Sequence, residues 1–194
     1  MKKSSPRPSA RPRQARASGP RQAAAPRGSR AEGGARPEGL AVGELALTQL
    51  ALFVGMAADE SVLRGLRAAG FAGLRPSHGY LVQRLLAGPS SISELARGLG
   101  VTQQAVSKSA AELARGGYLT DAESDDKRVR RVQLSERGWA CVEASRGLRG
   151  AIEAGLREAV GERALEQAHR VLSEALTRLG GAEAVQRRRV RPPR

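Results

Sequence analysis

Residues 92–118 read ISELARGLGVTQQAVSKSAAELARGGY, and residues 126–138 add DKRVRRVQLSERG. Leu95, Ala96 and Leu99 form one apolar helical face, and Val106, Ala110 and Leu113 form a second. Between them Gly100 supplies the permissive backbone of a tight turn. Ser91 or Ser93 is placed to cap the first helix and Thr102 to cap the second, which Gly116 and Gly117 end. Gln103, Gln104, Ser107 and Lys108 fall on the outward face of that second helix. Residues 118–123 and 128–134 then read as two strands joined by the polar turn SDDK, and Val132 and Leu134 keep the period of two of a half-buried strand. A helix-turn-helix followed directly by a two-stranded wing has DNA as its natural ligand.

Outward from this unit the pattern stays helical. Leu45, Leu47, Leu50, Leu52, Phe53, Val54, Met56, Leu63 and Leu66 recur at helical spacing, too densely for one surface helix, so burial on more than one side is expected and suggests a partner chain. Gly70 and Gly73 interrupt this helix, and Pro76 suits the first turn of the next, which Pro89 stops. Beyond the wing, Ser135 is the expected cap of a long helix starting near Glu136, and another is expected over roughly residues 162–179. The fold class is therefore mainly α (α+β), a winged helix-turn-helix with a helical dimerisation layer. The expected divisions are a disordered basic tail at 1–39, a dimerisation helix at 40–74, the winged helix at 75–135, dimerisation helices at 136–180 and a basic tail at 181–194.

The net charge of +14 is misleading as a DNA signature. Residues 1–39 hold ten Lys or Arg against two Glu, and residues 187–194 add five Arg, so residues 40–186 are nearly neutral at +1. Residues 1–39 also hold six Pro and almost no large apolar side chain, too little to offset chain entropy by burial. Three readings of this tail stay open: a DNA-binding arm acting through counterion release, an inert solubilising tail, and a translation start placed too far upstream. An organelle transit peptide fits the composition, but the scattered Pro and Gly defeat an amphipathic helix.

The single cysteine, Cys141, excludes an intrachain disulfide and fits a reducing cytoplasm, and His78 and His169 are too far apart for a metal-ligand pattern. The longest apolar run, residues 50–58, is about half the length a bilayer span needs. No Gly-rich phosphate loop or serine elbow occurs, so neither an enzyme nor a cofactor is expected.

Four motifs, in this order, resemble the MarR family of winged-helix transcriptional regulators over roughly residues 44–180: LRPSHG at 74–79, SISELARGLGVTQQAV at 91–106, the triplet Asp126, Lys127, Arg128, and LSERG at 134–138. The sequence departs from the family's habit at Ser109, where a large aliphatic residue is usual, and at Ser135, where Thr is commoner. The resemblance implies a triangular homodimer that binds a pseudo-palindromic operator. It also implies a cleft for a small aromatic or otherwise amphipathic effector, to be sought around Met56, His78, Tyr80 and Trp139. Each of these has a plainer reading, His78 as a hydrogen-bonded structural residue and Trp139 as core filler. Cys141 reads as inert packing rather than a redox sensor.

On this reading Gln103 and Gln104 pair with base edges, Lys108 meets guanine or a phosphate, and Thr102 with the amides behind it holds a phosphate. Arg128 reaches the minor groove from the wing, steered by Asp126, while Lys127, Arg130 and Arg131 contact phosphates or stay solvated. The expected function is a dimeric, cytoplasmic, sequence-specific regulator, a repressor released by an effector. The alternatives are a basic-tailed chromosome binder with little sequence preference and a winged helix used as a protein-interaction module. The second would present acidic or apolar residues where Gln103, Gln104, Ser107 and Lys108 stand.

Overall fold

The computed structural model describes residues 41–123, 129–188 and 190. A short 3-10 turn (Val42–Glu44) leads into α1 (Leu47–Ala68), followed by α2 (Pro76–Leu85), the two-residue strand β1 (Ser90–Ser91), α3 (Ile92–Leu99) and α4 (Gln103–Arg115). Then come β2 (Leu119–Ala122), β3 (Arg131–Leu134), α5 (Glu136–Val160), α6 (Glu162–Arg178) and α7 (Ala182–Gln186). It is a winged helix: mostly helical, with a three-stranded antiparallel sheet in the order β1-β3-β2. Leu119 faces Leu134 and Asp121 faces Val132 across the β2–β3 ladder. Every second residue of β3, Val132 and Leu134, is buried, as the alternation in the sequence requires. β1 is not legible in the sequence, because two residues have no period.

Local chemistry sets the helix starts. Ser91 Oγ accepts the Glu94 N–H at 3.2 Å while Glu94 Oε2 accepts the Ser91 N–H at 2.8 Å, a reciprocal cap that selects Ser91 over Ser93. Thr102 Oγ1 accepts the Ala105 N–H at 3.2 Å and opens α4. Ser135 Oγ accepts the Gly138 N–H at 3.0 Å and donates to the Gly117 carbonyl, so it caps α5 and ties it to the end of α4. Gly100 sits at φ 69°, the left-handed conformation that turns α3 into α4.

The core lies within the winged head. Leu81 and Leu85 of α2, Leu95 and Leu99 of α3, and Val106, Ala110 and Leu113 of α4 pack with Tyr118, Leu119, Val132, Leu134 and Val142. A fully buried leucine contributes roughly 1.5–3 kcal/mol, so the four most deeply buried, Leu81, Leu85, Leu95 and Leu113, account for much of the head's stability. A Cβ on Gly138 would collide with the Tyr118 carbonyl oxygen, so the first turn of α5 lies flush against the start of β2.

The long helices differ. α1 packs on α5, with Leu148 close against Gly65 and with Val62 and Leu66 buried, yet Leu52, Phe53, Val54 and Met56 are each at least half exposed. Val171, Leu172 and Leu176 of α6, and Leu179 just past its end, are likewise open. Among the described residues, no helix is long and apolar enough to cross a membrane.

Candidate nucleic-acid interface

The apolar stripe of α4 decides where its other side points. With Val106, Ala110 and Leu113 anchored in the core, Gln103, Gln104, Ser107 and Lys108 are exposed together on the opposite face, and Thr102 is exposed just before them. Ala105 joins them in the first turn. Sequence patterning does not single it out, because an alanine carries no polarity to mark a face; its methyl is the kind of group that meets the thymine C5-methyl.

On the wing, Arg130 Nε donates to Asp121 Oδ1 at 2.7 Å, both side chains being well exposed. Such a pair contributes at most about 1 kcal/mol, so the guanidinium is exchangeable for a phosphate. Arg131 is engaged differently: half-buried, it donates to the Pro89 carbonyl at 2.7 Å and lies 3.5 Å from Glu94, which binds the wing's inner strand to the start of α3. Asp126, Lys127 and Arg128 lie outside the described residues.

A cavity of about 430 Å³ opens between α2 and the α1–α5 pair. His78 and Tyr80 line it, together with Asp59, Cys141, Arg149 and Arg188. Met56 and Trp139 are not among its lining residues, and they are 59% and 44% exposed. The reason is helical phase and place. The inward stripe of α5 runs through Gly138 and Val142, and Trp139 stands about 100° round from it, which also removes it from the core. Met56 lies in the open stretch of α1 with Leu52, Phe53 and Val54.

Arg149 donates to Asp59 Oδ1 at 2.7 Å across the cavity, and Arg188 donates to Gln83 Oε1 at 3.1 Å from beyond α7. None of these pairings is legible in the sequence, since the partners are 90 and 105 residues apart. Burial pushes the Cys141 thiol pKa up against the opposing pull of Arg137, which suits inert packing.

His78 is 2% exposed. Its Nδ1 accepts the Arg75 backbone N–H at 3.3 Å, and its Nε2 faces Glu112 Oε2 of α4 at 3.1 Å with the Arg75 guanidinium nitrogens 3.3 and 3.4 Å away. The Arg75 guanidinium bonds the same carboxylate oxygen. Burial lowers the His78 pKa below its ordinary 6.5 and outweighs the Glu112 hydrogen bond, while Arg75 adds to the lowering. Glu112 is pulled the other way by its own desolvation, but the His78 bond and the charges of Arg75 and Lys108 leave its pKa below the usual carboxylate value. Among the described residues, no cluster of three His, Cys, Asp or Glu is placed to hold a metal ion.

Comparison with known proteins matches the fold. Residues 72–128 match the sequence model of the MarR family. No curated protein sequence matches the chain. Among solved structures, YusO of Bacillus subtilis is 22% identical over 67% of this chain and 92% of its own, with a TM-score of 0.55. The reduced form of MarR from E. coli is 20% identical over 68% and 97%, with a TM-score of 0.57. A point mutant of MepR from S. aureus, solved bound to an oligodeoxyribonucleotide, is 20% identical over 70% and 99%, with a TM-score of 0.51.

Proposed function

We propose that the chain is a homodimeric, cytoplasmic transcription regulator that binds a pseudo-palindromic DNA site, a reading supported by the match of residues 72–128 to the MarR family model. One observation carries the reading: α4 exposes Gln103, Gln104, Ser107 and Lys108 on one face while its other face is locked into the core. A helix fits the major groove, where a glutamine amide pairs bidentately with adenine and a lysine donates to guanine or a phosphate. The open apolar faces of α1 and α6 supply the surface for a second copy, which would present two such helices to one side of a duplex.

In this reading Arg128 and Asp126 extend the contact through the wing, Lys127 and Arg130 meet phosphates, and Thr102 with the first-turn amides of α4 seats another phosphate. The chain acts as a repressor, released when a small amphipathic or aromatic molecule fills the cavity lined by His78 and Tyr80.

The test is selection of bound duplexes from a random pool, followed by titration of an enriched and a scrambled duplex at fixed salt. The reading expects a recovered motif with two related half-sites and at least a thousandfold preference for it. Equal binding of both duplexes would replace it with the basic-tailed chromosome binder. Arg128→Ala should weaken the enriched duplex tenfold or more, about 1–3 kcal/mol.

A further inference from the structure

We infer that the His78–Glu112 hydrogen bond is a positioning contact for DNA binding, fixing the rotation of α4 from α2, with the ring itself seated by the Arg75 N–H only while Nδ1 is unprotonated. The inference rests on the DNA-binding reading above. The apolar contacts of Val106, Ala110 and Leu113 hold α4 against the core, but they are non-directional and resist rotation about the helix axis weakly. The bond to His78 has a direction. Glu112 is also four residues after Lys108, so the carboxylate pinned on its inner side sits one turn behind a side chain of the outward face.

Rotation matters because side-chain tips lie roughly 5–6 Å from a helix axis. A turn of about 15° carries a tip roughly 1.4 Å, enough to take a hydrogen bond with a base edge outside its distance range.

The cap at the start of α2 needs Nδ1 unprotonated. Nδ1 is already an acceptor for the Arg75 N–H at 3.3 Å, so a second ring proton would set two donors against each other and break the α2 cap. The charged groups around it act on that proton in opposite directions, Arg75 against it and Glu112 for it. Arg75 stands beside it on α2, and Glu112 faces it from α4 with Lys108 beyond. Across the cavity α1 and α5 bring Asp59 already paired with Arg149, the Cys141 thiol, and Arg146 paired with Glu143, while Arg188 reaches in from beyond α7.

The experiment uses the full chain and the duplex that the wild type enriches from a random pool, with its scrambled counterpart, between pH 8 and pH 5. Glu112→Ala should cut the ratio of specific to scrambled affinity about tenfold at pH 8; the site is partly open and alanine favours helix, so the variant folds. His78→Asn, which keeps an acceptor for Arg75 but falls short of Glu112, should lose as much. His78→Gln, which keeps a donor toward Glu112, should stay within about twofold of wild type and lose the decline in specific affinity that the wild type shows below pH 6.5. A Glu112→Ala ratio equal to wild type, or a His78→Gln profile that falls with pH as the wild type does, overturns the positioning contact alone. A wild type that enriches no duplex overturns it together with the DNA-binding reading.

Discussion

Replacing Arg137 by alanine should loosen the joint between the winged head and the long helices. From the first turn of α5 its guanidinium donates to the Gly70 carbonyl at 2.7 Å and to the Gly116 carbonyl at 3.2 Å, so one side chain ties the ends of α1 and α4. The same group lies 5.3 Å from the Phe71 ring centroid and 5.2 Å from that of Tyr118. A hydrogen bond from a charged donor contributes roughly 1.5–3 kcal/mol when shielded, but Arg137 is exposed and water recovers part of that. Each cation–π contact at an exposed site adds about 0.5–1 kcal/mol. Because all four interactions share one planar group they do not sum, and a net loss of about 2 kcal/mol is expected. For a chain of this size that corresponds to a fall in Tm of about 4–8 °C. Urea unfolding at fixed protomer concentration should show a lower midpoint with an unchanged slope. Arg137→Lys keeps the charge without the fork and should recover less than half of the loss. A loss below about 0.5 kcal/mol, or full recovery by lysine, would refute the idea that the fork spans these carbonyls.

Three further outcomes are expected. Leu113→Ala removes a side chain only 1% exposed from the inner face of α4 and should cost about 2–5 kcal/mol, read from the urea midpoint. The lowered His78 pKa means that the unfolded chain takes up this proton more readily than the folded one. Its contribution to stability is therefore complete above pH 6.5 and declines as pH falls below that value, before the loss from Glu112 sets in below 4.5. Unfolding midpoints across pH 8 to 5 should show this decline in the wild type and lack it in His78→Gln. Phe53→Asp puts a charge on the open apolar face of α1 and should shift the chain from dimer to monomer in sedimentation equilibrium; a Phe53→Asp chain that sediments as the wild type does would remove this face from the interface.

What can be read without coordinates is local. Thr102 and Ser135 announce helix starts because a hydroxyl two or three residues before an amide is a property of adjacent residues. The inward set Val106, Ala110 and Leu113 follows from the helical period alone, and so does the outward set that the DNA reading uses. Trp139 and Met56 are expected at the cleft only through the family resemblance, and the structure leaves both exposed and outside its lining. His78 is legible as a helix-start residue, whereas its partner is not.

The sequence by itself determined the order of the main helices and of the two wing strands, the Thr102 and Ser135 caps, and which face of α4 is apolar, since these depend on residues within a few positions of one another. Only the tertiary structure decided that Glu112 meets His78, that Arg137 bridges Gly70 and Gly116, and that Arg149 and Arg188 reach the cavity wall. Contacts across 21 to 67 residues, such as those of Arg137, leave no periodic trace, because they arise from the angle at which helices cross rather than from any spacing along the chain.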